Sequence, residues 1–281
     1  MDWFHAQKEL AERITPLYGE REAAVIADWV MEALSGKKKM DRLMIRKESL
    51  SPIELAGYER YSRELLAGRP VQYVLEESWF AGMKFFVDER VLIPRPETEE
   101  LVDWVASVAG VAGGVLDVGT GSGCIAVSLA RRLAGAPVYA CDISGGALEV
   151  ARKNASDLGA KVEFYSLDFL DAREWALLPP IRWLVSNPPY IPAAERRSMA
   201  SHVIDFEPDT ALFVPDADAL VFYRALGEFA RQRLEPGGAF FAEIHEEMGA
   251  AVGQLLTGSG AREVILRKDL QGKDRMIKAT W

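Results

Sequence analysis

Three observations predict an α/β fold: strands that alternate with helices from residue 97 onward, a glycine-rich turn after the first of those strands, and only helical periodicity before residue 72. The expected architecture is a doubly wound, Rossmann-like, mostly parallel seven-stranded sheet, with a small all-helical N-terminal domain and a connecting β-hairpin. The boundaries read as 1–72 for the helical domain, 73–96 for the hairpin linker and 97–281 for the sheet domain.

In the first segment apolar residues recur at helical spacing in pieces: Leu10, Ile14 and Leu17, then Ala24, Val25, Trp29 and Leu34. Ser51 with Pro52 and Glu54 forms a capping-box pattern with proline at the first helical position. Four or five short helices are expected. Gly68-Arg69-Pro70 breaks the pattern, and Trp79-Phe80 and Phe85-Phe86-Val87, joined through Ala81-Gly82, predict the hairpin.

The sheet domain opens with a helix over 97–109. Strands are expected at 114–118, 138–142, 162–165, 181–185, 238–244, 263–267 and 275–279, with helices at 124–133, 146–158, 219–234 and 248–256. Buried parallel strands read as continuous apolar runs, and Val115-Leu116 and Trp183-Leu184-Val185 fit that pattern.

Composition bounds the function. No apolar run approaches the ~18 residues of a membrane span. The N-terminus lacks the basic start and apolar core of a secretion signal, so a cytoplasmic location is expected. Cys124 and Cys141 lie in apolar stretches without CxxC spacing and read as small core residues; no metal site is expected. The net charge of −9 opposes a protein that grips nucleic acid chiefly through its phosphates. Residues 1–72 carry 12 Lys+Arg and 12 Asp+Glu, so the whole acidic excess belongs to the remainder.

Asp117-Val118-Gly119-Thr120-Gly121-Ser122-Gly123 stands between a strand and a helix, where doubly wound sheets bind ligands. No Lys-Ser/Thr follows, which opposes a P-loop, and the spacing is GxGxG rather than GxGxxG. Asp142 ends the next strand, where a carboxylate accepts both hydroxyls of a ribose. S-adenosylmethionine suits this set better than NAD, because its amino-acid tail carries an ammonium and it has no pyrophosphate. Asp117 is expected at the methionine end and Asp142 at the ribose. Asp168 is expected to take the exocyclic amine of the adenine and Phe169 to pack on its ring. Taken singly, Asp168 reads equally well as a turn residue or helix N-cap.

Asn187-Pro188-Pro189-Tyr190 closes the fourth strand with a rigid turn. Each proline fixes φ and lacks an N–H, and the residue before a proline is pushed out of the α region. The tetrad therefore presents acceptors, the Asn187 side-chain oxygen and the Pro188 carbonyl, to a substrate NH2 whose two hydrogens need partners. Tyr190 is expected to wall the planar group, and Asn187 also borders the cofactor. His5, His202 and His245 show no ligand or base spacing.

With this tetrad after a site for S-adenosylmethionine, the chain resembles the class I SAM-dependent methyltransferases that alkylate a planar nitrogen. More closely it resembles the HemK family of protein-(glutamine-N5) methyltransferases. The matching residues are Gly68 to Tyr73, Val91-Leu92-Ile93-Pro94-Arg95-Pro96-Glu97-Thr98-Glu99, Val115 to Ala126, Asp142, Asn187 to Pro192, Phe206-Glu207-Pro208 with Ala211-Leu212, and Asp269 through Gly272 to Arg275. The Ile-Pro-Arg-Pro-Glu-Thr-Glu block is specific to the family, whereas the tetrad is shared with adenine-N6 DNA methyltransferases. Two departures stand out: Glu76 where the family commonly has glycine, and Glu243-Ile244-His245-Glu246-Glu247-Met248 in place of Glu-x-Gly-x-x-Gln, a segment given no chemical role.

The resemblance implies methylation of the glutamine in the Gly-Gly-Gln motif of peptide chain release factors, modulating translation termination, with the helical domain docking the protein substrate. The alternatives are a ribosomal-protein glutamine methyltransferase and, further off, an adenine-N6 nucleic-acid methyltransferase. Neither direct nucleic-acid binding nor membrane binding is expected.

Overall fold

A computed structural model describes residues 1–110, 112–199 and 201–281. Its first helix, α1 (Trp3–Ser35), is two helices joined across a break at Gly19, whose φ of 74° and ψ of 162° are not helical. The Asp2 carboxylate caps it by accepting from the His5 amide at 2.8 Å. Then come α2 (Lys39–Ile45), α3 (Pro52–Leu66) and α4 (Val71–Leu75). The capping box of α3 is present: the Glu54 amide donates to Ser51 Oγ at 3.3 Å and the Ser51 amide to Glu54 Oε2 at 2.8 Å. The second apolar stripe of α1 differs from expectation. Ala23, Ile26, Ala27, Val30 and Met31 are buried, while Val25 and Trp29 are exposed. Both stripes have helical spacing, and only packing against α3 and α4 selects between them.

The hairpin is β1 (Ser78–Phe80) and β2 (Met83–Phe85), turning at Ala81 and Gly82 with φ of 50° and 75°. Positive φ at both positions is the signature of a tight two-residue turn. Next are α5 (Pro96–Val108), β3 (Val115–Val118), α6 (Cys124–Arg132), β4 (Val138–Asp142), α7 (Gly145–Asp157) and β5 (Glu163–Ser166). After a 3-10 turn at Glu174–Leu177 come β6 (Ile181–Ser186), β7 (Ile191–Pro192), a second 3-10 turn at Ala193–Ser198, α8 (Ser201–Phe206), α9 (Asp209–Leu212) and β8 (Phe213–Val214). The chain closes with α10 (Val221–Arg233), β9 (Leu234–Glu243), α11 (Gly249–Gly258), β10 (Glu263–Lys268) and β11 (Asp274–Thr280).

Seven strands form one sheet in the order β10-β11-β9-β6-β3-β4-β5. From β9 to β5 all pairs are parallel, and β11 is antiparallel to both neighbours. The strand order reverses at β3, which has β4 on one side and β6 on the other. Such a switch point opens a crevice at the carboxyl ends of the strands. Buried side chains fill both faces, one side including Leu101, Val105 and Ile125 and the other Tyr223, Phe229 and Phe240.

The chain divides into two compact units. One comprises Met1–Glu77 with α8; the other comprises Ser78–Met199 and Glu207–Trp281. Two expectations need correcting. The helical unit ends five residues after the expected 72, because Pro70 starts a further helix, α4. The hairpin is not a free-standing linker, since Phe80 and Phe85 are buried in the core of the second unit. No described helix is long and apolar enough to cross a membrane. Cys124 and Cys141 are buried and unbonded.

Candidate active site

Four parallel strands, β5, β4, β3 and β6, end side by side, with Val118 opposite Cys141 and Ser186, and Asp142 opposite Ser166. At about 4.8 Å between neighbouring strands, the row from β5 to β6 spans roughly 14 Å. It brings together Asp168, Asp142, the glycine loop and Asn187 in that order.

Gly119 and Gly121 have φ of 71° and 53°, and a Cβ at either would meet no atom within 4 Å. The open side of these left-handed turns is room for a ligand to lie against bare backbone. Asp117 beneath them is fully buried. Its Oδ2 accepts from Thr120 Oγ1 at 2.6 Å and from the Ala126 amide at 3.2 Å. Its Oδ1 is buried with no partner among the described residues. Burial lifts this carboxyl to about 7. A buried acceptor without a donor, beside a bare-backbone cradle, fits a group that brings a cation.

Asp142 accepts from the Gly121 amide through Oδ2 and from the Ser144 amide through Oδ1, both at 2.9 Å. A carboxylate has about four acceptor positions, so two bonds orient the group and leave lone pairs for a diol. Burial raises its pKa, against the backbone amides of Ser144, Gly121 and Ile143, which lower it. Asp168 Oδ1 accepts from the Leu170 amide at 2.9 Å, so it also serves as a turn residue. Phe169 is a correction. Its ring is 5 % exposed and packs against Trp175 and Phe229, with centroids 5.6 and 5.2 Å away. The fold uses that ring for the core, not as a platform for a base. Val118 is likewise buried, and the Thr120 hydroxyl is committed to Asp117.

Asn187 follows the last residue of β6 and is partly exposed, as are Pro189 and Tyr190, whereas Pro188 is buried. Asn187 Nδ2 donates to Thr98 Oγ1 at 3.1 Å. Thr98 Oγ1 in turn donates to Glu243 Oε2 at 2.7 Å, and Tyr190 OH donates to Glu243 Oε1 at 3.3 Å. Tyr223 OH donates to the Glu243 carbonyl at 3.0 Å. Glu243 is 2 % exposed. Burial raises its carboxyl pKa, while Thr98, Arg275 and Tyr190 pull it back down.

Glu243 and Thr98 stand in motifs of the sequence but receive no chemical role from it. The local signal for Glu243 is an acid closing the otherwise apolar Ala239-Phe240-Phe241-Ala242, as Asp142 closes β4. Two further supports were not anticipated. Glu207 is buried and accepts from Arg95 Nη2 at 2.6 Å and from the Ile93 amide at 3.3 Å, tying 91–95 to the segment before α9. Asn154 on α7 donates to the Phe86 and Ser122 carbonyls and accepts from the Phe86 amide, joining the hairpin to the glycine loop.

Residues 98–207 match the methyltransferase small domain family, and residues 5–75 match the PrmC N-terminal domain family. A release factor glutamine methyltransferase of Flavobacterium psychrophilum is 36 % identical over 280 residues, covering 97 % of both chains. Those of Bacteroides thetaiotaomicron and Chlorobaculum tepidum are 37 % and 38 % identical, covering 96 % and 95 % of this chain and 97 % and 94 % of their own. The chain belongs to the release factor glutamine methyltransferases. Its sheet is the class I methyltransferase fold, and S-adenosylmethionine is the methyl donor of such enzymes. Among solved structures, the catalytic domain of hMettl16, in complex with a MAT2A 3'UTR hairpin, has a TM-score of 0.56 at 14 % identity over 81 % of each chain. The 16S rRNA N2 G1207 methyltransferase of Thermus thermophilus has a TM-score of 0.51 at 18 % identity, over 73 % of this chain and 49 % of its own. Those likenesses concern the fold of a glutamine methyltransferase, not its substrate.

Proposed function

We infer that this chain methylates N5 of the glutamine in the Gly-Gly-Gln motif of peptide chain release factors, and that Asn187, Pro188, Pro189 and Tyr190 hold that amide. The observation that carries the assignment of residues is the adjacency of β6 and β3: it sets the Asn187 turn next to the glycine loop, so acceptor and cofactor cradle share one edge of the sheet.

S-adenosylmethionine, when bound, supplies a methyl on a sulfonium whose departure as a neutral thioether needs no acid. Asp117 takes its ammonium, Asp142 its ribose hydroxyls and Asp168 its adenine amine. The work left to the chain is to make a poor nucleophile usable, because an amide nitrogen's lone pair is delocalised into its carbonyl. Asn187 Oδ1 and the Pro188 carbonyl each accept one N–H, aim the nitrogen and raise its electron density. Both bonds strengthen as positive charge develops on nitrogen, so they favour the transition state over the ground state, and the methylated nitrogen becomes neutral by giving one of its two protons to solvent. Orientation of this kind is worth up to ~7–11 kcal/mol. Tyr190 walls the planar amide.

The helical unit docks the release factor, a role supported by the match of residues 5–75 to a family-specific domain. The partner is a protein and not a nucleic acid, a reading supported by the net charge of −9. The enzyme then works in the cytoplasm beside translation. Incubation with methyl-labelled S-adenosylmethionine and purified release factor should label the Gly-Gly-Gln glutamine, with no label on DNA, RNA or ribosomal proteins. Label confined to nucleic acid or to a ribosomal protein would overturn the assignment.

A further inference from the structure

We propose that Thr98 is a positioning residue that decides which end of the Asn187 side-chain amide faces the substrate, and that Glu243 sets the sense of that decision. The proposal rests on the role given to Asn187 above.

The three side chains come from separate elements: Thr98 from the first turn of α5, Glu243 from the end of β9 and Asn187 from just past β6. They are joined in series, Asn187 Nδ2 to Thr98 Oγ1 at 3.1 Å and Thr98 Oγ1 to Glu243 Oε2 at 2.7 Å. A hydroxyl has one proton and an ionised carboxylate has none to give. Thr98 must therefore spend its proton on Glu243, and it can meet Asn187 only with a lone pair. Only the NH2 end of an asparagine amide pairs with a lone pair. Oδ1 is thus turned away from Thr98 and left as an acceptor.

The opposite arrangement shows what the relay prevents. If the group at 243 could donate, Thr98 could accept from it and give its own proton to Asn187 Oδ1. Asn187 would then present NH2 to a substrate NH2, donor against donor. The two ends of an amide are almost the same size, so packing alone does not choose between them. The charge of Glu243 does, and groups around it offset part of the burial that raises its pKa. Tyr190 OH donates to its second oxygen, Tyr223 OH donates to its backbone carbonyl, and Arg275 on β11 attracts it, against repulsion from Glu97. Thr98 is itself buried, which keeps competing water from its hydroxyl.

Steady-state kinetics of Thr98→Val, Thr98→Ser and Glu243→Gln test the relay. Thr98→Val keeps the volume and removes the hydroxyl, so kcat should fall about tenfold or more, with KM for S-adenosylmethionine within about twofold of wild type. Thr98→Ser should restore kcat to within about threefold of wild type. Glu243→Gln, which can donate, should lose kcat as Thr98→Val does. The proposal is overturned if Thr98→Val keeps more than half of wild-type kcat, if Thr98→Ser is no better than Thr98→Val, or if the loss lies in KM for the cofactor. Glu243→Gln with wild-type kcat would remove Glu243 from the relay. Should Thr98→Val not fold, Thr98→Ala replaces it in the same comparison.

If the wild-type chain itself transfers no label to the release factor, the fault lies with the proposed function, and the relay is read without turnover. The Asn187 side-chain NH2 resonances, assigned by their loss in Asn187→Ala, should include one exchange-protected proton in wild type and Thr98→Ser and none in the hydroxyl-free variant. Equal protection in all three overturns it.

Discussion

In the proposed site, Asp117 is the residue at which burial and the binding of a cationic ligand are most directly opposed. Its carboxyl stands at about 7 because desolvation penalises the charged form. Its ordinary value is 3.8, so between roughly pH 4 and 7 the folded chain holds a proton that the unfolded chain has lost. Stability without ligand therefore falls as pH rises through that window. An ammonium placed at Oδ1 reverses the preference by pairing with the ionised form. The shift in melting temperature caused by S-adenosylmethionine should accordingly grow from pH 6 to pH 8, and Asp117→Asn should flatten that growth; a wild-type shift that is constant with pH would remove Asp117 from the methionine end. Asn187→Ala probes the neighbouring function. It removes an acceptor and not the cradle, so labelling of the release factor should drop at least about a hundredfold while cofactor affinity stays within about threefold.

At the scale of elements, Glu76 shows how a local rule can be broken without losing the structure that needed it. It caps α4 in the left-handed region, with φ of 55° and ψ of 32°, a conformation that favours glycine. A residue with a Cβ costs about 1–2 kcal/mol in that conformation, and glycine returns part of the gain through its freer unfolded state. Glu76→Gly should therefore raise stability by about 0.5–1 kcal/mol in chemical denaturation. A loss would mean that the Glu76 side chain contributes more than its backbone costs.

Elements also differ in how plainly the sequence announces them. Strands β3, β4 and β6 are mostly apolar runs stopped by Gly119, Asp142 and Asn187-Pro188, and their observed bounds lie within a residue of those the sequence predicts. The short pieces β7, α8, α9 and β8 between 191 and 214 were not read as elements, because two to six residues are too few to show a period. Glu207 illustrates the same limit. Its pairing with Arg95 spans 112 positions and has no local trace.

For the whole molecule, each hydrophobic cluster draws on one unit only: residues from Trp3 to Val74 in the helical unit, and residues from Phe80 to Ala279 in the sheet unit. A chain of residues 78–281 should thus fold and retain cofactor binding, while release factor methylation falls steeply if the helical unit supplies docking. A fragment with undiminished kcat/KM on release factor would leave that unit with a purely structural part. The boundary for such a cut lies at 77/78 and not at the 72 that helix-breaking residues suggested, since Pro70 opens α4 instead of ending the domain.

The sequence by itself determined the fold class, the glycine loop, the acids in β3 and at the end of β4, and the Asn-Pro-Pro-Tyr turn, because each is a local pattern with a local physical cause. Only the tertiary structure decided that Phe169 is a core residue, that Asp117 keeps one buried oxygen without a donor, and that Thr98 and Glu243 stand behind Asn187. Those facts depend on side chains far apart in the chain meeting at one edge of the sheet. A hydrogen bond across 89 or 145 positions is invisible to any reading of neighbours.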